Sequence, residues 1–220
     1  MSNLGDELLK LRRLLLSMAA QVEQRVNHAV EALLRHDLRL AERVREGDDE
    51  IDQFDISVEA ECMEIIALHH PVARDLRYVL AALRINADLE RIADLARSIA
   101  KRSIKLEYTR PVHPPPMLGT LARSVSDMLA RSLEALAEHD AELAMSVRQS
   151  DRAVDGIYKE LMGWAVQRVA SSAAEAKPLM DLVSVLRSLE RIGDLSTNIA
   201  EAVVFSVNGT VVRHEPVELS

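Results

Sequence analysis

The chain is poor in residues that interrupt helices and in residues that build sheets. Its 220 residues include seven glycines, seven prolines and 3% aromatic residues, whereas alanine, leucine, arginine, glutamate and valine fill long uninterrupted stretches. Strands are enriched in β-branched and aromatic residues, while alanine, leucine, arginine and glutamate favour helices. The composition therefore predicts an all-α protein, and its length is sufficient for one large domain or two small ones.

Disulfides, excess positive charge and long apolar runs are also missing. Cys62 is the only cysteine, so no intramolecular disulfide can form and a reducing cytosol is the expected compartment. The formal net charge of −8 disfavours nucleic acid as a partner, because phosphate contacts require clustered lysine and arginine. Residues 14–20 resemble a short signal-peptide core, but helical apolar spacing continues on both sides, and no stretch is apolar enough to span a membrane.

What the chain does contain is an internal repeat. The segment LERIAD at 89–94 returns as LERIGD at 189–194, 100 residues later. Upstream matches are 103 residues apart, as between His36-Asp37 and His139-Asp140. One net deletion of three residues between the two regions explains both spacings. A repeat of this length indicates a structural unit that was duplicated along the chain.

We predict six helices, three in each copy of the repeat. The first helix runs from about Asn3 to Arg45, the second from Gly47-Asp48 to His69-His70, and the third from Pro71 to about Glu107. The second copy is expected to break near Ser150-Asp151 and again between 171 and 178. His36-Asp37 and His139-Asp140 are expected on helix surfaces without a functional role.

The predicted architecture is two tandem three-helix bundles related by internal pseudo-symmetry. The first bundle repeat covers 1–108, a proline-rich linker covers 109–116, the second bundle repeat covers 117–208, and 209–220 form a tail. The third and sixth helices each carry a second apolar face, which includes Leu89 and Ile92 in one copy and Leu189 and Ile192 in the other. We expect these faces to be buried between the two bundles.

Four pairs of acidic residues stand one helical turn apart. At 100° per residue, Glu90 and Asp94 continue the apolar line of Leu76, Leu80 and Leu83, so we expect them on the core-facing side of the helix. The other pairs align with apolar residues in the same way. The four pairs are Asp48 and Asp52, Glu90 and Asp94, Asp151 and Asp155, and Glu190 and Asp194.

The expected register brings two pairs together in each bundle. If the second and third helices fold back near His70, Asp48 and Asp52 lie opposite positions 88–92, and folding near Ala174 does the same for the second copy. Four close carboxylates raise one another's pKa, so they must be protonated, paired with arginine or bound to a metal ion. Oxygen ligands suit magnesium, manganese, calcium or ferric iron, and suit zinc less well.

Two alternatives to a metal site remain. The acids could pair with nearby arginines in a purely structural adaptor, although four pairs in register favour a metal or shared cation. They could also serve a metal-dependent hydrolase or oxidase. The chain has no HExxH, no Glu-x-x-His, no nucleotide-binding glycine motif and no nucleophile elbow, so we predict that it is not an enzyme.

Two signatures resemble those of the PhoU family of phosphate-transport regulators. The first is PVARDLR at 71–77 with DLERIAD at 88–94, and the second is 189–194 followed by TNIAE at 197–201. The resemblance extends from about residue 8 to residue 202. It differs from the usual family pattern at Leu95 and Leu195, where histidine often stands, and at Ser188, which replaces the acid found at Asp88.

The resemblance implies two pseudo-symmetric three-helix bundles and multinuclear metal clusters on the four acidic pairs. We expect iron or zinc there, with magnesium or manganese as alternatives. It further implies negative regulation of the phosphate-starvation response through the ATPase of the phosphate-specific ABC transporter and the phosphate-sensing histidine kinase. We expect a homodimer that meets the membrane only through such partners.

Overall fold

A computed structural model describes residues 3–47, 49–108 and 112–211. Within these ranges the chain is helical, with one short 3₁₀ turn and no strand. The helices are α1 (Leu4–Arg35), α2 (Leu38–Glu46), α3 (Asp49–His69), α4 (Ala73–Glu107), α5 (Met117–Glu138), α6 (Ala141–Ser171) and α7 (Ala176–Asn208), with the 3₁₀ turn at Ala173–Glu175. The all-α prediction is confirmed.

The helices form two three-helix bundles, as the repeat predicts. The residues that precede those of α6 by 103 positions lie in α2 and α3. In the first repeat, α1, α2–α3 and α4 therefore correspond to α5, α6 and α7 in the second. The most extensive helix–helix contact joins α4 to α7, the equivalent helices of the two bundles. No described helix combines the length and the apolar character that a membrane crossing requires.

The first predicted helix is wrong in one respect, because it ends at residue 35. His36 adopts the left-handed conformation, with φ of 57°, and its N–H bonds to the Ala32 carbonyl. Asp37 then caps α2 by accepting a hydrogen bond from the Leu40 N–H at 3.0 Å. These two residues form a helix junction, so their expected placement on a continuous helix surface is also wrong.

The second copy has the same junction, and the predicted break near Ser150-Asp151 is absent. His139 has φ of 53° and Asp140 caps α6. The helix then continues to Ser171, because Ser150 stands where Gly47 ends α2 in the first copy. Serine is tolerated inside a helix better than glycine, which explains why only the first copy is interrupted.

The buried core runs through both bundles as one continuous cluster. Leu89, Ile92, Leu189 and Ile192 are fully buried, so the second apolar faces occupy the core as expected. Cys62 is also buried, and burial raises the pKa of its thiol to about 12.

The apolar line that continues through the acids is not core-facing, contrary to the prediction. Met63 is 62% exposed and Leu80 is 37% exposed in the first bundle. Val166 and Met180 are 66% and 61% exposed in the second bundle. The packing of α4 against α7 buries the opposite face, so the acids and these apolar side chains share an outer surface.

Candidate functional site

The second bundle brings together all four of its predicted acids. Asp151 and Asp155 lie on α6, and Glu190 and Asp194 lie on α7. The Thr197 hydroxyl donates a hydrogen bond to Asp151 Oδ1 at 3.4 Å. This contact places positions 151 and 197 opposite each other, as folding back near residue 174 requires. We call these four carboxylates the second acidic cluster.

Burial and electrostatic repulsion within the second acidic cluster raise the pKa values of three of its members. Burial raises the pKa of Glu190, and the charges of Asp194, Asp155 and Asp151 raise it further. The pKa of Asp194 is raised by burial and then by Asp151 and Asp155. Burial also raises the pKa of Asp151, with Asp155 adding to the shift. The cluster therefore holds more negative charge than its surroundings neutralise.

The first acidic cluster consists of Asp52, Asp55, Glu90 and Asp94, on α3 and α4. Burial raises the pKa of Glu90, and Asp94, Asp55 and Asp52 add to this in that order. Asn86 Nδ2 donates to Asp55 Oδ1 at 2.6 Å and to the Asp55 carbonyl at 3.2 Å, which fixes α3 against α4 beside the cluster. The remaining predicted acid, Asp48, lies outside the described residues.

The first cluster contains its own cations. The guanidinium of Arg25, on α1, interacts with the charges of Asp52, Asp94 and Glu50. Arg97 Nη1 lies 3.9 Å from Asp94 Oδ1. Part of the negative charge is therefore balanced by arginine within the protein.

The second cluster lacks both of these arginines. Its repeat-equivalent residues are Met128, which is buried, and Thr197. The cations nearby are arranged differently: Arg148 Nε binds Glu201 Oε1 at 3.2 Å, and Lys159 Nζ lies 3.6 Å from Asp155 Oδ2. The two clusters therefore differ in how far the protein itself neutralises them.

The donor chemistry of both clusters fits a hard cation. In each cluster, carboxylates from two facing helices offer oxygen ligands around a point of excess negative charge, and in the second cluster the Thr197 hydroxyl lies beside them. In the described part of the chain, no three His, Cys, Asp or Glu side chains already form a group that could hold one ion. Binding would therefore require the carboxylates to turn towards a common point, and the metal-ligand assignment stays a prediction.

The neighbours of the clusters that were not predicted from the sequence include Asp55, Thr197 and Arg25. Asp55 follows Asp52 by three residues and Thr197 follows Asp194 by three, so each lies on the same helical face as a predicted acid. That spacing could have revealed both. Arg25 lies on α1, and no local pattern connects it to acids on α3 and α4.

Comparison with known proteins identifies relatives over almost the whole chain. The model of the PhoU domain matches residues 15–103 and 118–203, one match in each repeat. A phosphate-specific transport system accessory protein PhoU homolog from Pseudomonas aeruginosa is 40% identical over 209 residues, which cover 94% of this chain and 86% of the relative. The Escherichia coli K12 protein named phosphate-specific transport system accessory protein PhoU is 32% identical over 94% of this chain and 86% of the relative.

Two solved structures share the fold. The crystal structure of PhoU from Pseudomonas aeruginosa matches with a TM-score of 0.90 at 39% identity, covering 94% of this chain and 99% of that chain. The crystal structure of the phosphate transport system regulatory protein PhoU from Streptococcus pneumoniae matches with a TM-score of 0.86 at 27% identity, covering 96% and 99%.

Proposed function

Because this chain belongs to the PhoU family, we propose that it is an accessory protein that negatively regulates phosphate uptake and the phosphate-starvation response. The observation that carries the proposal is the family match in both repeats, together with relatives named as accessory proteins of phosphate-specific transport. We place its action in the cytosol, on the ATPase of the phosphate ABC transporter and on the phosphate-sensing histidine kinase, with no enzymatic activity of its own.

The outer faces that carry the acids supply a means of contacting such partners. In each bundle, exposed apolar side chains share this face with the carboxylates, as Leu80 and Met180 show. A bound cation would neutralise the repulsion among the acids and present positive charge to acidic groups of a partner. Exposed apolar residues beside it would add buried area to the interface.

A metal-free structural adaptor is the second candidate, and the first cluster supplies the observation that favours it. Arg25 and Arg97 already lie among the acids there, so this bundle has an internal source of positive charge. In that case the acids would stabilise the helices through arginine and the regulatory contacts would be made without metal.

The regulatory role is tested by deleting the gene and following a phosphate-starvation reporter in medium rich in phosphate. We expect constitutive expression in the deletion strain and restored repression when the full chain is supplied. A deletion strain that still represses the reporter in high phosphate would contradict the proposed role.

The metal sites are tested by elemental analysis of protein purified without chelator or affinity metal, with melting curves in EDTA. We expect several equivalents of iron, zinc or manganese and a lower Tm in EDTA. Glu90→Ala with Asp94→Ala, and separately Glu190→Ala with Asp194→Ala, should reduce the metal content while circular dichroism stays helical. Unchanged metal content in both variants would refute the ligand assignment, and a metal-free protein with no EDTA effect would favour the adaptor.

A further inference from the structure

A cationic cleft lies between the two repeats, at the end of the molecule where α4 begins. It has a volume of about 270 Å³, and its polar lining comprises Arg12 on α1, Arg74, Asp75 and Tyr78 on α4, His139 after α5, and Ser206 on α7. Both copies of the repeat therefore contribute to it. None of its polar lining belongs to either acidic cluster.

The polar groups of this cleft are held in place by neighbouring contacts. Arg12 Nη2 donates to the Ala137 carbonyl at 2.6 Å, which anchors the guanidinium beside the end of α5. The Tyr78 and His139 rings meet edge to face with centroids 5.7 Å apart. Burial raises the pKa of Tyr78 to about 12, so its hydroxyl remains a hydrogen-bond donor at neutral pH.

Positive charge predominates at His139. The pKa of this imidazole is lowered first by burial and then by Arg12 and Arg74, and the opposing effect of Glu138 is smaller. Among the described residues, neither Arg12 nor Arg74 forms an ion pair with a carboxylate. The cleft is therefore lined by two guanidinium groups and one carboxylate, that of Asp75, which forms no ion pair with either arginine, so positive charge is in excess.

The opposite end of the molecule, which is related to the cleft by the pseudo-symmetry of the repeat, has a carboxylate at a position where the cleft has none. There the side chain of His36, the repeat equivalent of His139, is hydrogen-bonded to the carboxylate of Glu107. The residue equivalent to Glu107 is Val207, which lines the cleft near His139. Glu107 thus places a carboxylate beside His36 at one end. At the other end, the equivalent position near His139 is occupied by the apolar side chain of Val207.

We propose that this cleft binds a small phosphate-bearing anion, which supplies the negative charge that Glu107 supplies at the opposite end. Arginine binds phosphate oxygens through charge-assisted hydrogen bonds, often with two N–H groups at once. The hydroxyls of Tyr78 and Ser206 are further donors on the cleft wall. The volume admits inorganic phosphate, and also the phosphate group of a small monoester with its carbon end against Val207.

The proposal is tested by calorimetric titration of the full chain with inorganic phosphate and, separately, with glycerol phosphate as a small monoester. We expect binding of at least one of them, weakened tenfold or more by Arg12→Gln with Arg74→Gln. Arg74 is exposed, so Arg74→Gln alone serves as the variant if loss of the Arg12–Ala137 bond destabilises the protein. The matched control is Arg13→Gln, a neighbouring exposed arginine outside the cleft, which should bind like wild type.

A second variant introduces the missing carboxylate. Val207→Glu should weaken phosphate binding by a similar factor, because the new side chain would occupy the arginines. Val166→Glu adds the same charge at an exposed position of α6 and should leave binding unchanged.

No heat of binding with either ligand at millimolar concentration, an equal response to acetate, or binding that is insensitive to both Arg74→Gln and Val207→Glu would overturn the proposal. The proposed metal clusters can fail without affecting this result, because none of these variants alters an acidic-cluster residue.

Discussion

At the scale of single residues, the most consequential feature is carboxylates held close together at the molecular surface. Glu90, Asp151, Glu190 and Asp194 all have pKa values raised by burial and by neighbouring acids. The folded protein therefore binds these protons more tightly than the unfolded chain does. Their contribution to stability is most favourable below the ordinary carboxyl pKa and is lost as the pH rises through the raised values.

Neutralising two acids of the second cluster should therefore stabilise the metal-free protein at neutral pH. In EDTA, we expect Glu190→Gln with Asp194→Asn to melt about 2–4 °C above wild type at pH 7, a gain near 1 kcal/mol. At about pH 4.5 the difference should shrink, because more of the wild-type carboxyl groups are protonated there than at pH 7 and their mutual repulsion is weaker. Thermal melts at the two pH values provide the measurement, and a variant that is less stable at pH 7 would contradict the repulsion.

Arg25 gives the first cluster a cation that the second cluster lacks. Burial lowers the pKa of Arg25 despite the neighbouring acids, so Arg25→Met, which copies Met128 of the second copy, should change the stability of the metal-free protein by less than about 1 kcal/mol. It should also increase the rise in Tm on adding Mn²⁺, because more uncompensated negative charge remains. The exposed Arg39 on α2 provides the control Arg39→Met. An unchanged Mn²⁺ response in Arg25→Met would show that this arginine does not offset the acids.

At the scale of helices, two His-Asp pairs decide where helices end. The histidine of each pair takes the left-handed conformation and the following aspartate accepts hydrogen bonds from the next helix. Asp140 caps α6 through the N–H groups of Glu142 and Leu143, both at 2.9 Å. The aspartate of each pair is therefore a helix cap, and both pairs contribute to folding.

Removing a cap should cost a predictable amount of stability. Asp140→Ala should lower the free energy of unfolding by about 1 kcal/mol, since two N–H groups lose their acceptor. Asp140→Asn keeps an acceptor oxygen and should remain within about 0.5 kcal/mol of wild type. Urea denaturation measures both values, and equal losses in the two variants would indicate that the charge of Asp140, and not capping, is responsible.

At the scale of the whole molecule, the two repeats share one core. α4 and α7 pack face to face through buried side chains such as Leu89 and Leu189, and the buried cluster continues from one bundle into the other. Separating the bundles would expose both faces to water. The apolar area involved makes independent unfolding of one repeat unfavourable.

A mutation in one repeat should therefore destabilise the other. Leu89→Ala lies in the first repeat, whereas Trp164, the single tryptophan, reports on α6 in the second. We expect a loss of about 2–5 kcal/mol, seen equally by Trp164 fluorescence and by far-ultraviolet circular dichroism. Leu9, which is 57% exposed, provides the control Leu9→Ala with a change below about 0.5 kcal/mol. A tryptophan transition that stays at the wild-type midpoint would mean that the repeats unfold independently.

Composition and spacing alone established the helical class and the duplication, and they predicted the pairing of the acids. Scarce glycine, proline and aromatic residues leave helices as the favoured structure, and a constant spacing between copies identifies the repeat without any knowledge of contacts. The register followed as well, because two helices that fold back at a short turn place residues equidistant from the turn opposite each other. The bonds from Thr197 to Asp151 and from Asn86 to Asp55 agree with that geometry.

Which helix face is buried and which cations reach the acids depends on how the helices pack together. α4 has two apolar faces, and the presence of α7 selects the face of Leu89 for the core, leaving Leu80 on the outer surface. Arg25 reaches the first cluster from α1, and Arg12 and His139 meet across the cleft although they are far apart in the chain. Periodicity describes one helix at a time, whereas burial and charge balance depend on the helices packed around it.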